Sequence, residues 1–219
     1  MKITVVGAGV MGPGIAQVFM LGGHKVLLHD VAQEILDKGV KRVASSLDTM
    51  NEAGVLKQSP AEYMSLLTTT TSKTEAYDGA KLVIEAIPEK LDLKEKLYRE
   101  MDSILPPDAI ISSNTSSLPL PNIFPDFRPG RFIVSHFFNP PPLIPLVELV
   151  GNKQTNPECL KWLKELLIQC GKSPIVLKDF VKGFFANRVQ GAAGRETMYL
   201  VNPGSTVNRQ KSASEKTGI

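Results

Sequence analysis

Lys2-Ile3-Thr4-Val5-Val6-Gly7-Ala8-Gly9-Val10-Met11-Gly12-Pro13-Gly14-Ile15-Ala16 stands at the head of the chain, and its reading decides the fold. Residues 2–6 are a short apolar run with the β-branching of a buried strand. The run passes directly into Gly-x-Gly-x-x-Gly, placed where a strand should turn into a helix. Gly7 serves the tight turn, Gly9 lets backbone approach a pyrophosphate, and Gly12 lets the helix pack close on the strand. Pro13 suits the first helical turn, where its missing N–H has no partner to lose. The exposed N–H groups along Gly9, Val10, Met11 and Gly12, at the positive end of the helix dipole, are then set to hold phosphates.

The next element tests this fingerprint. Gly22-Gly23 closes the helix, and His24-Lys25-Val26-Leu27-Leu28-His29-Asp30 reads as a second strand ending in an acid. Asp30 follows Gly12 by eighteen residues, at a strand tip where a carboxylate can accept from both ribose hydroxyls. No arginine follows it to take a 2′-phosphate, which favours NAD over NADP.

The 219 residues, 42% hydrophobic and 21% charged, suit one substantial domain with room for part of a second. A net charge of +3, with no basic stripe interleaved with aromatics, gives no case for nucleic acid. No apolar run approaches the ~20 residues of a membrane span. The first strand begins at Lys2, so no signal peptide and a cytoplasmic location are expected. Cys159 and Cys170 fall in one predicted helix, about 16 Å apart, too far for a disulfide or a shared metal. They are expected as small packed hydrophobes. His24, His29 and His136 lack metal-ligand spacing, so no metal site is expected.

Along the chain, residues 32–51 carry a helical pattern through Ile35, Leu36, Val40, Val43 and Leu47. Gly54 and Pro60 punctuate it, and residues 61–66 return as a short helix; a helical pair projecting from the sheet would explain this long segment. Strands follow at 68–71, 81–87 and 108–112, separated by a helical turn at 74–79 and a helix at 92–104 with Leu93, Leu97 and Met101 on one stripe. This alternation predicts an α/β fold, a Rossmann-type doubly wound sheet, mostly parallel. Ligands of such sheets collect beyond the carboxyl ends of the strands, where Gly7, Asp30, Glu89 and Ser116 fall. Residues 131–136 and 146–150 give two further strands joined by Asn139-Pro140-Pro141-Pro142, then a helix from Pro157 to about Gln169 and a last strand at 173–177. Residues 1–182 thus read as the dinucleotide-binding domain and 183–201 as a further helix. Residues 202–219 read as a disordered tail.

His136 and Glu148 are the informative pair. A hairpin-like return between their strands brings imidazole beside carboxylate. One ring nitrogen is then fixed, and the other is left to move a proton at neutral pH. Spacing alone also allows an ordinary strand-end histidine and a solvated glutamate.

The sequence resembles the L-3-hydroxyacyl-CoA dehydrogenase family from residue 2 to about 200. The matching stretches are the 7–16 fingerprint, Glu85-Ala86-Ile87-Pro88-Glu89, Ser113-Asn114-Thr115-Ser116-Ser117-Leu118, His136-Phe137-Phe138-Asn139-Pro140, Leu146-Val147-Glu148 and Gly183-Phe184-Phe185-Ala186-Asn187-Arg188. The resemblance implies His136 as general base oriented by Glu148, with Ser116 and Asn187 on the substrate's reacting oxygen. It places Glu89, Lys94, Ser116 and Asn139 at NAD, and Ser46 at coenzyme A. The lysine that accompanies Ser46 in the family is Ala53 here. The run Pro140 to Leu146 is closer to the branch of lambda-crystallin, gulonate dehydrogenase and carnitine dehydrogenase, which act on small free 3-hydroxy acids. The expected function is NAD-dependent oxidation of a 3-hydroxyacyl-CoA. A free 3-hydroxy acid substrate is one alternative, and NAD binding without turnover is another. Family members follow Asn187 with a helical domain of ~100 residues that completes the substrate cleft and forms a homodimer. This chain ends thirty-two residues after Asn187, so truncation is expected.

Overall fold

The computed structural model describes residues 1–116, 118, 126–177 and 183–201. The expected disordered tail, 202–219, lies outside the described residues, as does Ser117. The chain divides into two compact units, Met1–Lys182 and Gly183–Ile219.

In the first unit β1 (Ile3–Val6) leads into α1 (Gly12–Leu21), β2 (Val26–His29), α2 (Gln33–Glu52), α3 (Pro60–Met64) and β3 (Leu67–Thr70). Then come α4 (Lys73–Tyr77), β4 (Leu82–Glu85), α5 (Leu91–Asp102), β5 (Ile110–Ser113) and β6 (Phe132–Phe137). β7 (Leu146–Val150), α6 (Pro157–Gln169) and β8 (Ser173–Leu177) complete it. The eight strands form one sheet in the order β3-β2-β1-β4-β5-β6-β7-β8. All neighbours are parallel except β6 and β7, which are antiparallel. The Rossmann-type reading holds. β1, β2, β4, β5 and β6 are buried along their whole length, as strands covered on both faces must be.

Three local expectations change. Residues 33–64 do form a helical pair, but α2 packs along α1 and sends Leu36, Val43 and Leu47 into the core beside Ile15 and Phe19. Gly39 permits this approach, because a Cβ there would sit 3.2 Å from Pro13 and 3.3 Å from Ala8. The returning helix α3 runs Pro60–Met64 rather than 61–66, with Pro60 as its first residue behind a Ser59–Glu62 capping box. On α5 the buried face is Lys94, Tyr98 and Met101, whereas Leu93 is exposed. Met101 keeps its expected place, but Lys94 and Tyr98 take the buried face in place of Leu93 and Leu97, because a lysine counts against burial until its partners are known.

Cys159 and Cys170 are both buried and free, and burial pushes the Cys170 thiol up to about 11. In the second unit α7 (Ala186–Val201) follows Gly183 and Phe184, both at positive φ, and none of its residues is buried.

Candidate active site

Strand register aligns the carboxyl edge of the sheet. Val6 pairs with His29 and with Glu85, Glu85 pairs with Ser113, and Ser113 pairs with Val134. Gly7, Asp30, Ala86 and Asn114 are therefore the next residues out along that edge, and His136 stands two residues past Val134. Gly7 turns the chain at φ 101°, and a Cβ there would lie 2.7 Å from the Ala86 carbonyl oxygen. A Cβ on Gly12 would be 1.7 Å from the Gly7 carbonyl oxygen, so only glycine allows α1 to start there. Gly9, by contrast, faces open space. Met11 gives α1 no side-chain cap, so the first-turn N–H groups stay available for an anion.

Asp30 is drawn into this loop. Its Oδ2 accepts the Ala8 N–H at 2.8 Å, and Arg42 Nη2 on α2 donates to the Ala8 carbonyl at 2.8 Å. A crevice of about 500 Å³ opens beside Gly7, Gly9 and Asp30, walled by Ile35, Leu93 and Leu97. Those leucines are the α5 residues that leave the core. A glycine turn, uncapped helix N–H groups, an oriented carboxylate and apolar walls together suit pyrophosphate, ribose and adenine.

His136 and Glu148 are direct cross-strand partners on β6 and β7. Glu148 Oε2 lies 2.8 Å from His136 Nδ1, and both side chains are buried. The ring centroid of Phe138 lies 4.5 Å from that of His136. A carboxylate at Nδ1 favours the tautomer that carries its proton on that nitrogen. Asn114 secures the strand end beyond the imidazole, its Oδ1 accepting the Phe137 N–H at 2.8 Å.

Glu89 and Ser116 meet through backbone. Glu89 Oε1 accepts the Ser116 N–H at 2.9 Å and the Thr115 hydroxyl, while Lys94 Nζ lies 3.2 Å from Oε2. Burial raises the Glu89 carboxyl, but the Thr115 hydroxyl, the Lys94 ammonium and the Ser116 N–H together hold it below its ordinary range. Lys94 also donates to Glu85 Oε1 at 2.5 Å, and Glu85 accepts further from Ile87 N, Tyr98 Oη and Ser113 Oγ. The Lys94 ammonium is thus held by two carboxylates, and its side chain is 1% exposed.

Asn139 is exposed two residues past the end of β6, joined to Pro140 by a cis peptide. Val10 is exposed and Met11 half-buried in the glycine loop. Ser46, half-buried on α2, lies eleven residues past Ile35, about 16 Å along the helix. It is not among the residues that wall the crevice. Asn187, half-buried in the first turn of α7, belongs to the second unit. Sequence reading missed Glu85, Asn114 and Thr115, which carry no ligand-type spacing; an acid at the end of an apolar strand was the one available signal for Glu85. Among the described residues, no group of three His, Cys, Asp or Glu side chains could hold a metal, and no helix is long and apolar enough to cross a membrane.

Residues 2–180 match the family described as 3-hydroxyacyl-CoA dehydrogenase, NAD binding domain. A probable 3-hydroxybutyryl-CoA dehydrogenase of Deinococcus radiodurans is 39% identical over 205 residues, covering 93% of this chain and 73% of that protein. An L-carnitine dehydrogenase of Streptomyces griseus is 35% identical over 218 residues, covering 99% of this chain and 64% of that protein. Among solved structures, (S)-3-hydroxybutyryl-CoA dehydrogenase from Ralstonia eutropha superposes with a TM-score of 0.86 at 34% identity, covering 99% of this chain and 77% of that one. The chain thus spans about two thirds to three quarters of the length of these relatives. With its glycine crevice and its buried His136–Glu148 pair, the chain belongs to the 3-hydroxyacyl-CoA dehydrogenase family, and residues 2–180 are that family's NAD-binding domain.

Proposed function

We propose that this chain carries out the oxidation of the 3-hydroxyl of a 3-hydroxyacyl-CoA, with His136 as the general base. The observation that carries the reading is the 2.8 Å contact between His136 Nδ1 and Glu148 Oε2 at the edge of the sheet that also presents the glycine loop. NAD, when bound, supplies the acceptor for the hydride that leaves carbon 3. Nε2 of His136 takes the hydroxyl proton, and Glu148 stabilises the imidazolium that results. Ser116, held by Glu89 through its N–H, offers its hydroxyl to the substrate oxygen as charge develops there. The glycine loop and the first turn of α1 bind the pyrophosphate, and Asp30 binds the adenosine ribose. Glu89 and Asn139 lie on loops at the same carboxyl edge and complete the cofactor site. The role of Asn187 rests on the resemblance alone.

A CoA thioester is favoured over a free hydroxy acid by the 39% identical relative named for 3-hydroxybutyryl-CoA, while the L-carnitine dehydrogenases keep the second class in view. Following NADH oxidation with acetoacetyl-CoA, and NAD reduction with carnitine and gulonate, separates the two. Turnover with acetoacetyl-CoA that His136→Ala abolishes, with NAD binding retained, supports the proposal. Turnover confined to carnitine or gulonate moves the substrate to the free acids. Saturable NAD binding with no turnover on any of them leaves a dinucleotide-binding protein only.

A further inference from the structure

Between the strands of His136 and Glu148 the chain makes a proline turn, Pro140-Pro141-Pro142-Leu143-Ile144-Pro145. Prolines lack N–H groups, so the turn closes on itself through two bonds only, from Leu143 N and Ile144 N to the Pro140 carbonyl. The rest of its hold comes from outside. Lys172, immediately before β8, is buried, and its Nζ donates to the carbonyls of Pro141 at 2.5 Å, Ile144 at 3.1 Å and Pro142 at 3.3 Å.

An ammonium has three protons, and three carbonyls of this one turn lie within hydrogen-bond distance of Nζ. No carboxylate among the described residues forms a salt bridge with Lys172. Burial without a counter-charge is costly, and desolvation holds its pKa below the ordinary lysine value. The neighbouring Ser173 N–H adds a bond to the Pro145 carbonyl at 2.8 Å. On its other side the turn presses on the start of α1. A Cβ on Gly14 would lie 2.8 Å from Pro141 Cδ and 3.4 Å from Pro142 Cδ. The turn is therefore wedged between one buried cation and the helix whose first turn receives the phosphates. Asn139 stands at its entrance, three residues after His136.

We propose that Lys172 is a positioning residue, whose ammonium fixes the proline turn and Asn139 against the first turn of α1 and so sets how the nicotinamide half of the dinucleotide is received beside His136. The cofactor part of this rests on the NAD site described above; the hold on the turn does not.

Lys172→Met keeps the apolar stem and removes the charge. Hydrogen exchange on this variant should accelerate at the amides of Leu143 and Ile144 while the β6–β7 and β7–β8 ladders keep their protection. Unchanged exchange at 143 and 144, or uniform acceleration through the unit, would overturn the assignment. Calorimetric titration then compares NADH with ADP-ribose, which shares the adenosine and both phosphates but lacks nicotinamide. NADH affinity should fall by about tenfold, the scale of one lost charge-assisted contact, with ADP-ribose affinity within about twofold of the parent. Equal losses, or none, would also overturn it. Pro141→Ala loosens the same turn on its opposite side, where Pro141 packs against Gly14 of α1, and should reproduce the selective loss of NADH. It carries both measurements if Lys172→Met does not fold. A parent chain that binds no NADH would defeat the cofactor reading, and the exchange arm would still judge what Lys172 holds.

Discussion

Asp30, just past the end of β2, and Glu148, in the middle of β7, are both acids, yet their surroundings differ. Asp30 is half-buried with one oxygen tied to the Ala8 N–H, so its removal costs the brace on the glycine loop as well as the proposed ribose acceptor. Asp30→Ala should weaken NAD binding by about 10- to 100-fold, the loss expected for hydrogen bonds to a charged group. Isothermal titration would measure it, and unchanged affinity would remove the ribose assignment. Glu148 is fully buried against His136 and is not among the residues that wall the crevice. Glu148→Gln should therefore lower kcat by about 100-fold or more while leaving the Kd for NAD within about threefold. A variant that loses cofactor affinity and keeps its rate would contradict that division. Asp30 was legible in the sequence because a strand ends there beside the glycine loop, whereas spacing brought Glu148 opposite the histidine strand and only the family resemblance singled it out from a solvated glutamate. Lys172 was not legible, since its partners are backbone carbonyls thirty residues away and no side-chain pattern announces a carbonyl cage.

Among the elements, α5 shows where periodicity misleads. An apolar count selects Leu93, Leu97 and Met101, but the helix buries Lys94, Tyr98 and Met101 and turns its leucines to the cofactor crevice. The choice is made by Glu85, a carboxylate with no exposure at the end of β4, which accepts from Lys94, Tyr98, Ser113 and the Ile87 N–H. Only the packing of helix on sheet brings these groups together, so strand order and helix positions could be read from sequence while the rotation of α5 could not. Lys94→Met leaves Glu85 buried without its counter-charge, and removing one partner of a buried pair costs about 3–5 kcal/mol. Urea unfolding followed through Trp162, the chain's one tryptophan and a residue of the first unit, should show a loss of that size. Glu85→Gln combined with Lys94→Met should recover part of it, because the orphaned charge is then gone. A double variant as unstable as the sum of the singles would mean that the two side chains do not depend on each other.

At the scale of the whole molecule, buried titratable groups make stability depend on pH in two separate windows. Burial holds His29 and His24 below the ordinary histidine value of 6.5; the chain's amino-terminal charge adds to this at His24, while at His29 the Thr70 carbonyl and Asp30 only partly offset it. His29 Nδ1 lies 3.0 Å from the Thr70 carbonyl, and His24 Nε2 is buried with no partner among the described residues. A lowered histidine pKa means that the unfolded chain binds more protons than the native one between the folded value and 6.5. Stability therefore rises with pH through that window, is level above it, and is lost as pH falls below 6.5. Glu89 works at lower pH. Its depressed pKa adds stability that is present above 4.5 and disappears as pH falls through the folded value. Urea midpoints from Trp162 fluorescence should accordingly stay level from pH 8 to about 6.5 and then decline in two stages, the first from the histidines and the second from carboxylates. His29→Gln, which can still donate to the Thr70 carbonyl but cannot charge, should flatten the upper stage and leave the lower one in place. A midpoint that rises as pH falls from 7 to 5, or an upper stage undiminished in His29→Gln, would show that His29 is not held neutral by the sheet.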